Sequence, residues 1–460
     1  MMTQSISKQP ANTAVLILTL LALMFPINIE CQKHTLAQTN SDQTNSDQTN
    51  SDQMNSDQTT KLKNSKELAS KNATAGAVAL KPLEAPLEQQ AELVGAIYEA
   101  TKKTKTLTDY TAFLKQCDQA LAMGLNDKNR QYVVSLTGWA LNRRAEKRME
   151  LSKQLRQIGN SRYESVFHQG MEDFNDATIK APERVRTWMA RGIAHVDNGN
   201  YDQGIKDFTQ VVKLKPDSVN GWFNRAEALY QRSKIGSGSQ PVIAAADSKQ
   251  GDDKKVDSQN PAATVLAEDV RRVGFEQAVR DYGAVLRFNS NDAEALTGRA
   301  HANFALAKFE VALKDYDQVL KLDSAKKSDV ALVNRADCLQ SLGRWQDAMD
   351  DYAAALKIKK SPIGLQRMAW LKATCPEHTI RDAKSASELV AQAISLGGET
   401  ALNLDTRAAV EAALGNFEVA KTTQAKVIGL ASSESVVETG EFKARMAIYE
   451  EGKPFVQDDK

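Results

Sequence analysis

Apolar positions along this chain recur at helical spacing, in paired stretches separated by short polar turns. The clearest pair runs Trp188, Gly192, a turn at Gly199, then Tyr201, Gly204 and Phe208, closed by Pro216. Residues three or four apart share one face of an α-helix, so each stretch reads as a helix with one apolar stripe. Small residues at Gly192 and Gly204 let two helix axes approach, and the aromatic residues fill the space beside them. Stepping on by about 34 residues puts Trp222 and Ala226 in register with Trp188 and Gly192. The same order returns as Leu296, Ala300, Phe309, Ala312 and Tyr316, then as Leu332, Ala336, Gly343, Trp345, Ala348 and Tyr352. It returns once more as Leu404, Ala408, Gly415, Phe417 and Ala420. Few runs alternate as strands do, so the predicted chain is nearly all helix.

Weaker copies flank these. Phe174, Ala177 and Pro182 end a second helix whose first helix carries Arg144 and Ala145, and 87–103 with 110–121 read as a degenerate opening pair. Residues 365–371 begin another pair, interrupted at Cys375-Pro376 and resumed over 385–396. A helix over 433–450 follows, stopped by Gly452-Lys453-Pro454. The order large, small, turn glycine, aromatic, small, aromatic, proline resembles the tetratricopeptide repeat (TPR) family. That resemblance implies an all-α fold: a right-handed superhelical solenoid of antiparallel helix pairs with a C-terminal capping helix. The predicted array covers 85–432 in about seven repeats, with the cap and a tail over 433–460. Between Tyr230 and Phe275 the chain is longer than a repeat requires and rich in polar turn formers. A flexible insert is therefore expected at about 233–270, either a tolerated loop or a binding element.

The first 37 residues read as a signal peptide or membrane anchor. The apolar run 14–25 follows Lys8 and ends at Pro26; it is short for a bilayer span, which takes roughly 20 apolar residues. Small residues before Gln38 suit cleavage, whereas Glu30 before Cys31 argues against a lipid-attachment site. Residues 38–84 form a predicted disordered tether that opens with tandem Thr-Asn-Ser-Asp-Gln units, none of which has anything to bury. The reading is an exported protein, periplasmic or membrane-anchored outside the cytoplasm, touching membrane only through its N-terminal segment.

Charge narrows the function further. Lys plus Arg number 59 against 58 Asp plus Glu, so no general pull toward nucleic acid is expected. Cys117, Cys338 and Cys375 have no metal or redox spacing and read as buried thiols, and the five histidines are scattered. No phosphate loop, nucleophile elbow or zinc motif occurs, so the predicted protein is not an enzyme and uses no cofactor or metal.

One charge pattern tracks the repeats. An arginine precedes the first-helix small residue and an aspartate precedes the second-helix aromatic: Arg144 with Asp173, Arg191 with Asp207, Arg225 with Asp281, Arg299 with Asp315, Arg335 with Asp351. Pairing within each repeat uses all ten, so five structural ion pairs are expected. Arg407 stands alone because Thr423 fills the aspartate position.

In TPR proteins the first helices line the concave side, so the resemblance implies a peptide groove here. Its candidate residues are Arg186, Met189, Asn220, Phe223, Asn224, Glu227, Tyr230, Thr297, His301, Phe304 and Asn334. The alternative is that Phe223, Tyr230 and Phe304 pack against adjoining helices. Where chaperone-tail binders need lysine and arginine, this chain has Met189, Phe223, Thr297, Gly298 and Val333, which excludes that subtype. The predicted function is a non-catalytic scaffold for a protein or peptide partner. The alternative is an accessory subunit of an enzyme complex or an envelope-assembly factor.

Overall fold

The structure, a computed structural model, describes residues 85–235, 261–322, 328–433 and 439–458. The predicted signal segment and tether lie outside them, as does most of the predicted insert. The described residues form seventeen helices and no strand. They fall into two units, divided between Asn224 and Arg225.

The unit up to Asn224 opens with α1 (Leu87–Lys103) and α2 (Leu107–Ala122), then α3 (Asp127–Gln157) and α4 (Arg162–Lys180), then α5 (Val185–Asp197) and α6 (Tyr201–Leu214). From α1 to α6 each helix packs on the one before it, and α3 also packs on α5. The residues added between Arg144 and Phe174 lengthen the pair α3 and α4 instead of looping out. The opening pair closes its core with Val94, Ile97, Tyr110, Phe113 and Cys117 beneath Trp139, which meets Tyr110 and Phe113 edge-on. Thr106 caps α2 with a reciprocal bond to Asp109, and Asn126 caps α3, so local chemistry marks both starts.

The helix α7 (Val219–Ile235) carries the chain into the second unit, followed by α8 (Pro261–Phe288), α9 (Ala293–Ala305) and α10 (Phe309–Leu322). Then come α11 (Asp329–Ser341), α12 (Trp345–Ile358), α13 (Pro362–Thr374) and α14 (Ala383–Gly397). The unit ends with α15 (Ala401–Ala413), α16 (Phe417–Ser433) and the cap α17 (Gly440–Glu450). First helices also pack on first helices, α11 on α13 and α13 on α15. Two expected boundaries move. Residues 261–270, read as insert, belong to α8, because Pro261 suits a first helical position and Ala-rich sequence follows it. The helix expected over 433–450 begins at Gly440.

The repeat aromatics fill the interior. Tyr230, Phe275, Tyr282, Phe304, Tyr316 and Tyr352 are all fully buried, each burial contributing about 2 kcal/mol over leaving the ring in water. Small residues are needed where helices touch: a Cβ added at Gly298 would lie 2.4 Å from the Tyr282 ring. The first helix α11 stops at Gly343, whose φ of +71° lets Arg344 N–H reach back to the Leu339 carbonyl. The corresponding stop of α9 uses Ala307, held at φ +55°, with Lys308 N–H on the Asn303 carbonyl. The repeat thus tolerates a side chain there at some backbone cost.

Candidate peptide-binding face

Within each of five repeats an arginine of the first helix grips an aspartate of the second with two parallel bonds. The distances are 2.9 and 2.7 Å for Arg144–Asp173, 2.8 and 2.7 Å for Arg191–Asp207, and 2.7 and 2.9 Å for Arg225–Asp281. They are 2.8 and 2.7 Å for Arg299–Asp315 and 2.7 Å twice for Arg335–Asp351. The aspartates are buried and the guanidinium groups partly exposed. Such geometry fixes the angle between two helices, while desolvation offsets much of the Coulombic gain. Further partners share the load: Arg148 also reaches Asp173, Arg191 reaches Asn175 and Thr178, and Arg335 reaches Asp317.

The first-helix face of the unit up to Asn224 holds five candidate groove residues. Asn224 donates to the Asn220 carbonyl at 2.8 Å and lies 3.7 Å from the Met189 sulfur; Met189 is buried beneath it. Arg186 binds the Glu146 carboxylate at 3.0 and 3.2 Å. Phe223, Asn220 and Asn224 are half-buried, which leaves an apolar ring and two amides reachable from solvent.

In the second unit the picture differs. Tyr230, His301, Phe304 and Asn334, proposed from the sequence as groove residues, are buried among the helices. Tyr230 meets Phe275 and His301, Phe304 stacks edge-on with Phe309, and Asn334 Nδ2 lies 3.1 Å from His301 Nε2. Packing against neighbouring helices consumes them. Glu227 and Thr297 remain half-buried; Glu227 accepts from Tyr282 at 2.8 Å and from Gln231 at 2.8 Å, and Thr297 bonds its own helix. Burial lowers the pKa of neighbouring Lys234, partly offset by Glu227.

Further along, the first helices carry polar side chains absent from the sequence-derived groove. The Tyr352 hydroxyl donates to buried Asp337 and lies 3.2 Å from Gln340 Oε1, and Arg367 pairs with Asp337 at 3.3 Å. Burial raises the Asp337 pKa, against the pull of Arg367 and Tyr352. Gln366 donates to Thr406 at 2.6 Å. Across the same helices runs the segment 453–458, placing Phe455 on Trp370 and Gln457 on Gln340 and Thr374. The only sign of this in the sequence is a Phe-Val-Gln stretch after the final helix stop. Among the described residues no group of three or more His, Cys, Asp or Glu side chains is placed to hold a metal, and the three described cysteines are buried and outside any disulfide.

Comparison with known proteins adds the following. A search of curated proteins gives no match. Among solved structures, the chain is similar to a tetratricopeptide repeat protein from Parabacteroides merdae ATCC 43184, at 16% identity and a TM-score of 0.45, over 66% of this chain and 98% of that one. It is also similar to PilF of Pseudomonas aeruginosa, at 11% identity and 0.38, over 57% and 96%. A third, YrrB, described as a TPR protein with an unusual peptide-binding site, matches at 11% identity and 0.34, over 52% and 98%. By sequence, residues 189–236 and 297–362 match the tetratricopeptide repeat family model.

Proposed function

We propose that the chain is a non-catalytic scaffold that binds a protein or peptide partner on its first-helix face. The observation that carries this is the half-buried set Phe223, Asn220 and Asn224, an apolar ring beside two amides in the unit up to Asn224. Such a surface suits an extended backbone, which offers alternating donors and acceptors and a side chain for the ring. Peptides selected by display against the full chain test it. Phe223→Ala with Asn224→Ala should weaken the selected peptides at least tenfold while leaving the helical circular dichroism and melting profile unchanged. Peptides that bind the double variant as tightly as the parent chain would refute this reading.

The scaffold works outside the cytoplasm in this reading, because the apolar run 14–25 after Lys8 has the length of an export signal core. Fusing residues 1–84 to a reporter enzyme active only after export should give activity. An inactive fusion, with cytoplasmic full-length chain by fractionation, would remove the export assignment.

A further inference from the structure

The segment that follows the cap is seated on the first helices. Gly452, at φ +69°, ends α17 by letting Lys453 N–H reach back to the Ile448 carbonyl, and the chain leaves the helix through exposed Pro454. Phe455 then lies against Trp370 of α13, ring centroids 5.7 Å apart, with the Arg445 guanidinium 5.6 Å from its centre. It also packs against the buried cluster of Ala408, Ala412, Ala420 and Tyr449. Two residues on, the Gln457 backbone N–H donates to the Thr374 carbonyl at 2.8 Å.

The Gln457 side chain lies between two polar groups, and Thr374 sets which way its amide points. Gln457 Oε1 accepts from Gln340 Nε2 at 3.0 Å. The fully buried Thr374 hydroxyl spends its proton on the Trp370 carbonyl at 2.7 Å, which leaves its oxygen to accept from Gln457 Nε2 at 2.6 Å. A side chain filling this place needs one acceptor and one donor at glutamine's length. Glutamate offers no donor to Thr374 Oγ1, and alanine leaves both groups unpaired.

We infer that α11, α13 and α17 form a binding site for an extended peptide carrying an aromatic residue two positions before a glutamine, and that segment 453–458 is its resident occupant. A partner of that chemistry competes with the chain's own segment, so the site opens only to a ligand strong enough, or concentrated enough, to displace it. Occupation in cis keeps Trp370 and the Gln340 amide covered when no partner is present. This rests on the reading of the first-helix face as a peptide surface and gives it a ligand class and a gate.

A fluorescent peptide of residues 452–460 tests the site by anisotropy against three proteins. These are the full chain, a chain ending at Glu451, and a full-length Phe455→Ala, Gln457→Ala variant that keeps the chain length should truncation disturb folding. Both altered proteins should bind the peptide, and the full chain at least tenfold more weakly. Changing Gln457 to glutamate within the peptide, or Trp370 to alanine within the receptor, should weaken binding about tenfold. Equal binding to all three proteins, or binding to none, overturns the inference. So does a full chain that is dimeric and becomes monomeric on truncation, because the site would then belong to a second copy. Display-selected peptides that still depend on Phe223 and Asn224 would show that only this inference, and not the scaffold reading, had failed.

Discussion

Asp405→Leu alone is expected to destabilise the last helix pair and the cap by about 3–5 kcal/mol, and Asp405→Leu with Arg445→Met to recover most of that loss. Asp405 on α15 and Arg445 on α17 are both buried, with contacts of 3.0 Å at two points, and Gln424 adds a third bond to the carboxylate at 2.9 Å. Removing the carboxylate leaves a guanidinium out of water, with Glu441 at 3.4 Å and the faces of Trp370, Phe442 and Phe455 as weaker partners. Burial works against that charge, and Asp405 and Glu441 together more than offset it, holding the Arg445 pKa above its ordinary value. Removing both partners leaves apolar groups in an apolar place. In stacked hairpins a local defect stays local, so the measurement is hydrogen exchange resolved to α15, α16 and α17. A single variant no less protected than the parent there would mean the pair contributes little.

His301 sets an acid limit on the second unit. Burial lowers its pKa to about 3 from the ordinary 6.5, with the Lys234 charge pushing the same way. Asn334 Nδ2 at 3.1 Å makes Nε2 an acceptor, which only the neutral ring provides, and the rings of Tyr230 and Tyr316 close the pocket. The unfolded chain takes up a proton as pH falls through 6.5, and the folded chain does not until about 3. The stabilisation is therefore complete above 6.5 and declines through that interval, by about 3 kcal/mol between roughly pH 7.5 and pH 4. His301→Gln keeps a partner for Asn334 without a titrating ring, so its urea midpoint should fall less with acid than the parent's. Parallel pH profiles for parent and variant would show that His301 does not set the limit.

The helices and their order were legible from the spacing of large and small residues, because that spacing follows directly from helical geometry. Both members of each Arg–Asp pair could be named because they occupy the same places in the five repeats that carry them. The groove was less legible. Tyr230, Phe304 and Asn334 occupy first-helix positions that the resemblance to TPR proteins assigns to the concave side, but that assignment does not distinguish a solvent-lined wall from a helix contact. Phe223 and Asn224 have the same kind of position and stay half-buried.

The sequence by itself therefore determined the all-helical repeat, its pairing of neighbours and the charges that set helix angles, since these depend on contacts at short, regular separation. Only the tertiary structure decided which first-helix side chains remain reachable, that Arg445 closes on Asp405, and that Gln457 meets Gln340 from 117 residues away. Those contacts depend on how successive hairpins stack within a unit, and no local period in the chain records that distance.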